Sequence, residues 1–166
     1  MVDVSIATEV LKGIPSQVAI MIIGMTPIFE LRGSIPVAIG LYKMSVPSAY
    51  FWSVIGNIVP TVLIVLLLDK VVKILSTRFE FFDKFFQWLF DRTRKRAQDK
   101  IEKYGPWGLF VLVAIPLPVT GGWTGALAAF LFGIEKKKSI PIIVLGIMVA
   151  GVIVTLLTVG VVSLPI

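Results

Sequence analysis

The sequence predicts an all-α integral membrane protein. Its expected architecture is an inverted repeat of a re-entrant helical hairpin followed by a transmembrane helix, with an amphipathic interfacial helix between the repeats. Three observations carry this prediction. The 166 residues are 57% hydrophobic and only 16% charged, with a mean hydropathy of +0.94; soluble domains carry about 45–50% apolar and about 25% charged residues. Two charge-free runs, 47–68 and 139–164, are long enough to cross a bilayer. Each run is preceded by a shorter apolar segment interrupted by proline and glycine. The chain reads as one membrane domain, 1–166.

Composition also excludes chemistry. There is no cysteine, so no disulfide framework, zinc knuckle or thiolate is available. There is no histidine, which removes Ser-His-Asp triads and the commonest metal ligand. No nucleophile–base pair or metal cluster is legible, so neither an enzyme nor a cofactor is expected. The net charge of +6 fits an anionic bilayer surface, not nucleic acid, in a chain this apolar. Met1–Thr8 carries Asp3 and no basic residue, unlike the positive start of a cleavable signal peptide.

Residues 1–16 read as an interfacial entry helix ending near Pro15. Repeat one, about 17–68, opens on Gln17–Phe29, which as a helix is about 20 Å long against a hydrocarbon core of about 30 Å. Pro27, Gly33 and Pro36 oppose a continuous helix through 17–44, so this segment is expected to enter, break and leave by the same face. Its tip holds Glu30 and Arg32. A charge at the centre of a span costs about 2.5–3.5 kcal/mol and is usually functional. Residues two apart diverge on a helix and share a side in extended chain. Convergence of Glu30 and Arg32 therefore requires unwound backbone between the prolines, which survives only under protein or beside a water-filled cavity.

Ser45-Val46-Pro47 is a helix start, with Ser as N-cap and Pro in the first turn. Pro47–Leu68 then gives about 33 Å of helix. Asn57, beside Gly56 at mid-span, is either an interhelical hydrogen-bond partner or part of a site. From about 69 to 104 the character changes. Phe79, Phe81, Phe82, Phe85, Phe86, Trp88, Leu89 and Phe90 fall on one side of a helical wheel, and Glu80, Asp83, Lys84, Gln87, Asp91 and Lys95 on the other. This is expected to be a helix lying in the interface plane. Arg92, Arg94, Lys95, Arg96 and Lys100 would face anionic lipid headgroups.

Repeat two, about 106–164, starts after Tyr104-Gly105-Pro106. Trp107–Ile115 and Trp123–Ile134 are both too short to span, and between them lies the uncharged tip Pro116–Gly122. Ser139-Ile140-Pro141 opens the second long run. Gly40–Pro47 aligns with Gly133–Pro141 with one gap, and paired interrupted segments in two halves point to a transporter site at the midplane. Of the sixteen Lys and Arg, ten lie in the linker and three are Lys136–Lys138. With both hairpins re-entrant these thirteen share one face, which the positive-inside rule makes cytoplasmic, leaving both termini outside. The alternative, hairpins that cross fully to give four spans, sets Lys136–Lys138 opposite the linker and leaves a weaker bias.

The segments Phe29-Glu30-Leu31-Arg32-Gly33-Ser34-Ile35-Pro36, Gly56-Asn57 and Pro116-Leu117-Pro118-Val119-Thr120-Gly121-Gly122-Trp123-Thr124-Gly125-Ala126-Leu127-Ala128-Ala129 resemble the signature of the small multidrug export family. That family of prokaryotic membrane proteins is related to the DedA/VTT superfamily. The resemblance covers essentially the whole chain. It implies two re-entrant hairpins facing each other, and a place in a superfamily associated with proton-dependent transport, lipid-carrier recycling and lipid scrambling. DedA proteins carry further charges around their hairpins, whereas the second tip here has none.

The resulting expectation is a small secondary transporter in the cell membrane, with its site between the tips. Arg32 would pair with an anionic group of the substrate and Glu30 would carry the coupling proton. Thr120, Gly121, Gly122 and Thr124 would offer backbone N–H groups at the start of a half-helix, with Trp123 as a cover. Gly33, Asn57 and Pro118 complete the candidate site. Three alternatives stand beside this. Glu30 and Arg32 form an ion pair that only locks the hairpin; the protein is a flippase or scramblase for a phosphate-bearing lipid or polyprenyl carrier; or it is a non-transporting scaffold. Two spans form a thin shell, so a homodimer is expected.

Overall fold

The computed structural model describes residues 13–78, 80–117 and 120–162, and the regular elements among them are all helical. The first helix, α1 (Ser16–Met25), ends for a local reason. Pro27 has no N–H to give to Ile23 O four residues back. The Thr26 hydroxyl donates to that carbonyl instead at 2.7 Å, as does the Thr26 backbone N–H at 3.1 Å. After the turn at Pro27–Phe29 the chain re-forms a helix, α2 (Glu30–Pro36), which runs into a π-helical turn at Val37–Leu41. Pro36 again removes a donor, and the Val37 N–H serves both Gly33 O and Ser34 O; such π turns are frequent at functional sites.

The break is therefore Thr26–Phe29, upstream of both charges, and not the unwound stretch expected between Pro27 and Pro36. Glu30 opens α2 and Arg32 lies within it, and their side chains go to different partners. Among the described residues they form no ion pair with each other.

The long helix α3 (Val46–Arg78) passes Pro60 without interruption. At 33 residues it is about 50 Å long. It was expected to stop at Leu68, but 69–78 contains neither Gly nor Pro, so nothing ends the helix where the charges begin. A second long helix, α7 (Lys136–Val162), starts on Glu135, whose carbonyl accepts the N–H groups of Lys138 and Ser139. Val46–Ser76 and Lys136–Val161 are both long and apolar enough to cross a membrane. They run antiparallel. Lys136 Nζ lies 2.5 Å from Asp69 Oδ2 at one end, and Tyr50 Oη donates to Met148 O at 3.1 Å toward the other.

Between the two long helices come α4 (Glu80–Tyr104), a 3₁₀ turn (Gly105–Trp107), α5 (Gly108–Ala114) and α6 (Gly122–Leu131). The core is built from α3, α5, α6 and α7 around Val54, Leu109, Leu112, Val113, Ile143 and Ile147, closed on one side by Leu31 and Ile35 of α2. Close approach of α1 to α3 uses small residues, as in membrane bundles generally. A Cβ on Gly56 would lie 2.4 Å from Met21 O.

The aromatic side of α4 is itself split between a packed and an exposed part. Phe86, Thr93 and Ala97 are buried, and Phe90 meets Phe130 of α6 with ring centroids 5.3 Å apart. Phe81 (74% exposed), Phe85 and Trp88 stay outside. The aromatic side is wide enough to serve both the protein and the exterior. Arg92, Arg94 and Lys95 are exposed, Arg96 and Lys100 half-buried, and the Arg92 guanidinium stacks 5.4 Å over Trp88. The entry helix expected over 1–16 falls mostly outside the described residues, as does Phe79.

Candidate functional site

The two interruptions meet. The first supplies Glu30 and Arg32 from the start of α2. The second is the segment 115–121, which leads into α6. Ile115 is extended, and Thr120 is held by its own side chain, whose Oγ1 lies 3.0 Å from Ile115 O and 2.8 Å from Leu117 O. Gly121 has φ +139°, a conformation that favours glycine.

Arg32 is half-buried and donates from Nη2 to Thr120 O, with Thr120 Oγ1 3.5 Å away. Glu30 is only 7% exposed. Its Oε1 accepts the Trp123 backbone N–H, long at 3.4 Å, so the carboxylate lies at the N-terminus of α6, where the helix dipole favours negative charge. Glu30 itself has φ +43°. For a non-glycine residue this costs about 1–2 kcal/mol, and strain of this kind collects at functional sites. The carboxylate also explains Gly121, since a Cβ there would stand 2.0 Å from Glu30 Oε2.

A polar row on α3 closes the inner wall. Asn57 is 1% exposed, and Thr61 Oγ1 lies 3.4 Å from Asn57 Oδ1. A Cβ on Gly122 would lie 2.4 Å from Thr61 Oγ1 and 2.9 Å from Asn57 Oδ1. Thr61 and the equally buried Ser53 were not singled out in the sequence. The signal was present: Ser53, Asn57 and Thr61 are spaced i, i+4, i+8 in a run free of charge, which places all three on one face.

Of the expected site residues, Glu30, Arg32, Asn57, Thr120, Gly121, Gly122 and Trp123 are brought together. Trp123 Nε1 is buried without a hydrogen-bond partner. Thr124 lines the same region. Gly33 packs against the Phe29 ring, where a Cβ would fall 2.6 Å from Phe29 Cβ, so it faces the first break and is not part of the meeting point. Pro118 lies outside the described residues. The basic residues of α4 belong to a separate surface.

Arg32 stands between two cavities. One, of about 250 Å³, is lined by Glu30, Arg32, Thr120, Trp123 and Thr124 together with Pro27 and Ile28. The other, of about 390 Å³, runs along the outside of α7 past Val154, Leu157 and Val161, with Arg32 as its one charged lining residue. No group of three or more potential metal ligands occurs among the described residues. The hydrophobic surroundings of the site strengthen each electrostatic contact.

The family described as "Putative small multi-drug export protein" matches residues 30–153. No curated protein and no solved structure matches the chain. The matched region starts at Glu30 and takes in Arg32, the Asn57 row and the whole second break, that is, every residue gathered at the meeting point. With most of its length matched and two helices fit to cross a bilayer, the chain is a membrane protein and belongs to the small multi-drug export protein family.

Proposed function

We propose that the protein is a small secondary transporter that binds an anionic or amphipathic substrate between the two breaks and couples its movement to protons through Glu30. The observation that carries this reading is that two opposite charges, Glu30 buried and Arg32 half-buried, each engage the second break: Arg32 on Thr120 O, and Glu30 on the start of α6. Ionisable groups inside a membrane pair with one another or with backbone carbonyls, and they mark substrate and ion pathways. These two span a seam flanked by cavities.

The membrane arrangement belongs to the same proposal. α5 and α6 are about 10 and 15 Å long, and α1 with α2 is similarly short, so each broken pair enters and leaves by one face. The antiparallel α3 and α7 make the two units inverted. The basic linker and Lys136–Lys138 then lie on the cytoplasmic side of the cell membrane with both termini outside. On that side Phe81, Phe85 and Trp88 reach the interface and Arg92, Lys95 and their basic neighbours meet anionic headgroups. The exposed Leu156, Leu157 and Val161 of α7 offer the surface for a homodimer.

A second reading, a flippase for a phosphate-bearing lipid, is favoured by the 390 Å³ groove, whose apolar wall opens sideways and ends on Arg32. Flux in proteoliposomes separates the readings. A coupled transporter responds to an imposed pH gradient, a flippase moves a lipid probe regardless of it, and a scaffold gives neither. Glu30→Gln is expected to fold and to lose the response to the gradient. Undiminished gradient-driven flux in that variant would remove the coupling role.

A further inference from the structure

We propose that Glu30 is a resident anion occupying the anion subsite of the substrate, so that an incoming oxoanion group binds only once that carboxylate has taken up a proton and left the α6 N-terminus. The inference rests on the transport reading above and gives it a substrate class and a sign of coupling. The class is any singly charged oxoanion group of carboxylate, phosphate or sulfonate type, whether free or as the head of an amphiphile.

The geometry makes the exclusion steric as well as electrostatic. The groups that suit an anion here are the first N–H groups of α6 and the Arg32 guanidinium. The carboxylate already accepts the Trp123 N–H and fills the space over Gly121 so fully that not even a methyl group fits. Arg32 is turned to the Thr120 carbonyl, a neutral acceptor that an oxoanion readily outcompetes, because charge-assisted bonds are roughly twice as strong as neutral ones. The adjoining 250 Å³ cavity is lined by both charged side chains, so an anion arriving there reaches Arg32 and Glu30 together. Glu30 also holds a strained φ of +43° where its carboxylate meets α6.

Among the described residues Arg32 is the one charged side chain facing Glu30. α1, α5 and α6 carry no ionisable residue. Where α3 faces the carboxylate it presents Asn57 and Thr61, and its Asp69 is engaged by Lys136 at the far end. Binding of one anion therefore brings in about one proton, and by linkage the anion binds about tenfold more weakly for each pH unit above the titration of Glu30.

The test uses probes whose charge does not change with pH. Methanesulfonate represents a free anion and decanesulfonate an amphiphile. Each is titrated by calorimetry into the full chain in phosphatidylcholine nanodiscs at pH 5 and pH 8, in two buffers of different ionisation enthalpy. The expected result is at least tenfold tighter binding at pH 5, with uptake approaching one proton per sulfonate. Glu30→Gln is expected to bind equally at both pH values and to take up none. Binding of methanesulfonate assigns the site to free anions; binding of decanesulfonate alone assigns it to amphiphiles. Wild-type binding that ignores pH, proton release, or no binding of either probe overturns the proposal. The wild-type proton count decides even if the variant fails to fold. Proton-linked binding without flux upholds this inference and removes the transport reading; gradient-driven flux with pH-independent binding does the reverse.

Discussion

Arg32→Ala is expected to lower anion flux in proteoliposomes by about a hundredfold while leaving a folded protein. A hundredfold corresponds to about 2.7 kcal/mol at 1.36 kcal/mol per factor of ten. Among the described residues Arg32 is the one cation near Glu30, and it is the donor that joins the two breaks through Thr120 O. Its loss leaves a carbonyl without that donor and a buried carboxylate without its counter-charge, so both binding and coupling suffer. The fold survives because the breaks are held elsewhere: α2 through Leu31 and Ile35, and α6 through Ala126, Ala128 and Ala129, all in the common core. Arg32→Lys keeps the charge but loses the planar fork and is expected to fall between wild type and alanine. Wild-type flux in a folded Arg32→Ala protein would leave the guanidinium without a role in transport.

The second large effect is on stability. Gly56→Ala is expected to lower the apparent melting temperature in detergent, because its Cβ would stand 2.4 Å from Met21 O, 3.0 Å from Met21 Cα and 3.1 Å from Met21 C. Those are backbone atoms, and they cannot rotate away. The whole of α1 must shift on α3, and overpacking of this kind costs about 1–3 kcal/mol, or about 2–12 °C for a chain of this size. Gly40→Ala is the matching control, since nothing lies within 4 Å of its would-be Cβ. Equal melting temperatures for the two variants would contradict the close α1–α3 contact.

Much of this was legible in the sequence, and the failures have local causes. The two long helices follow from the absence of charge over 47–68 and 139–164, and the two interruptions follow from Pro27, Pro116 and the Gly121-Gly122 pair. Asn57, read as lying at mid-span, is buried. The position of the first break was not legible, because it depends on the Thr26 hydroxyl replacing the donor that Pro27 lacks, a side-chain bond invisible to periodicity. That displacement of a few residues turned an extended pair into a helical one and sent Glu30 and Arg32 to different partners. The end of α3 was misjudged because polarity marks where a helix leaves lipid, not where it stops. On α4, the broad aromatic side concealed two separate faces, one packed on α6 and one exposed, since a helical wheel records direction and says nothing of what lies there. The self-occupied anion subsite could not be read at all; it joins residues 30 and 123 across the chain.

The central claim is that the broken helical pairs enter from opposite faces of the membrane and meet at Glu30 and Arg32. The chain contains no cysteine, so single cysteines can be placed without a background. The decisive measurement is labelling of Gly13→Cys, Lys43→Cys, Lys103→Cys and Lys137→Cys in intact and permeabilised cells with a membrane-impermeant maleimide. Positions 13 and 43 flank the first broken pair, and 103 and 137 flank the second. Labelling of 13 and 43 in intact cells, with 103 and 137 reached only after permeabilisation, is the predicted result. Labelling of 13 and 43 from opposite sides would mean that the first pair crosses the bilayer, and would contradict the account.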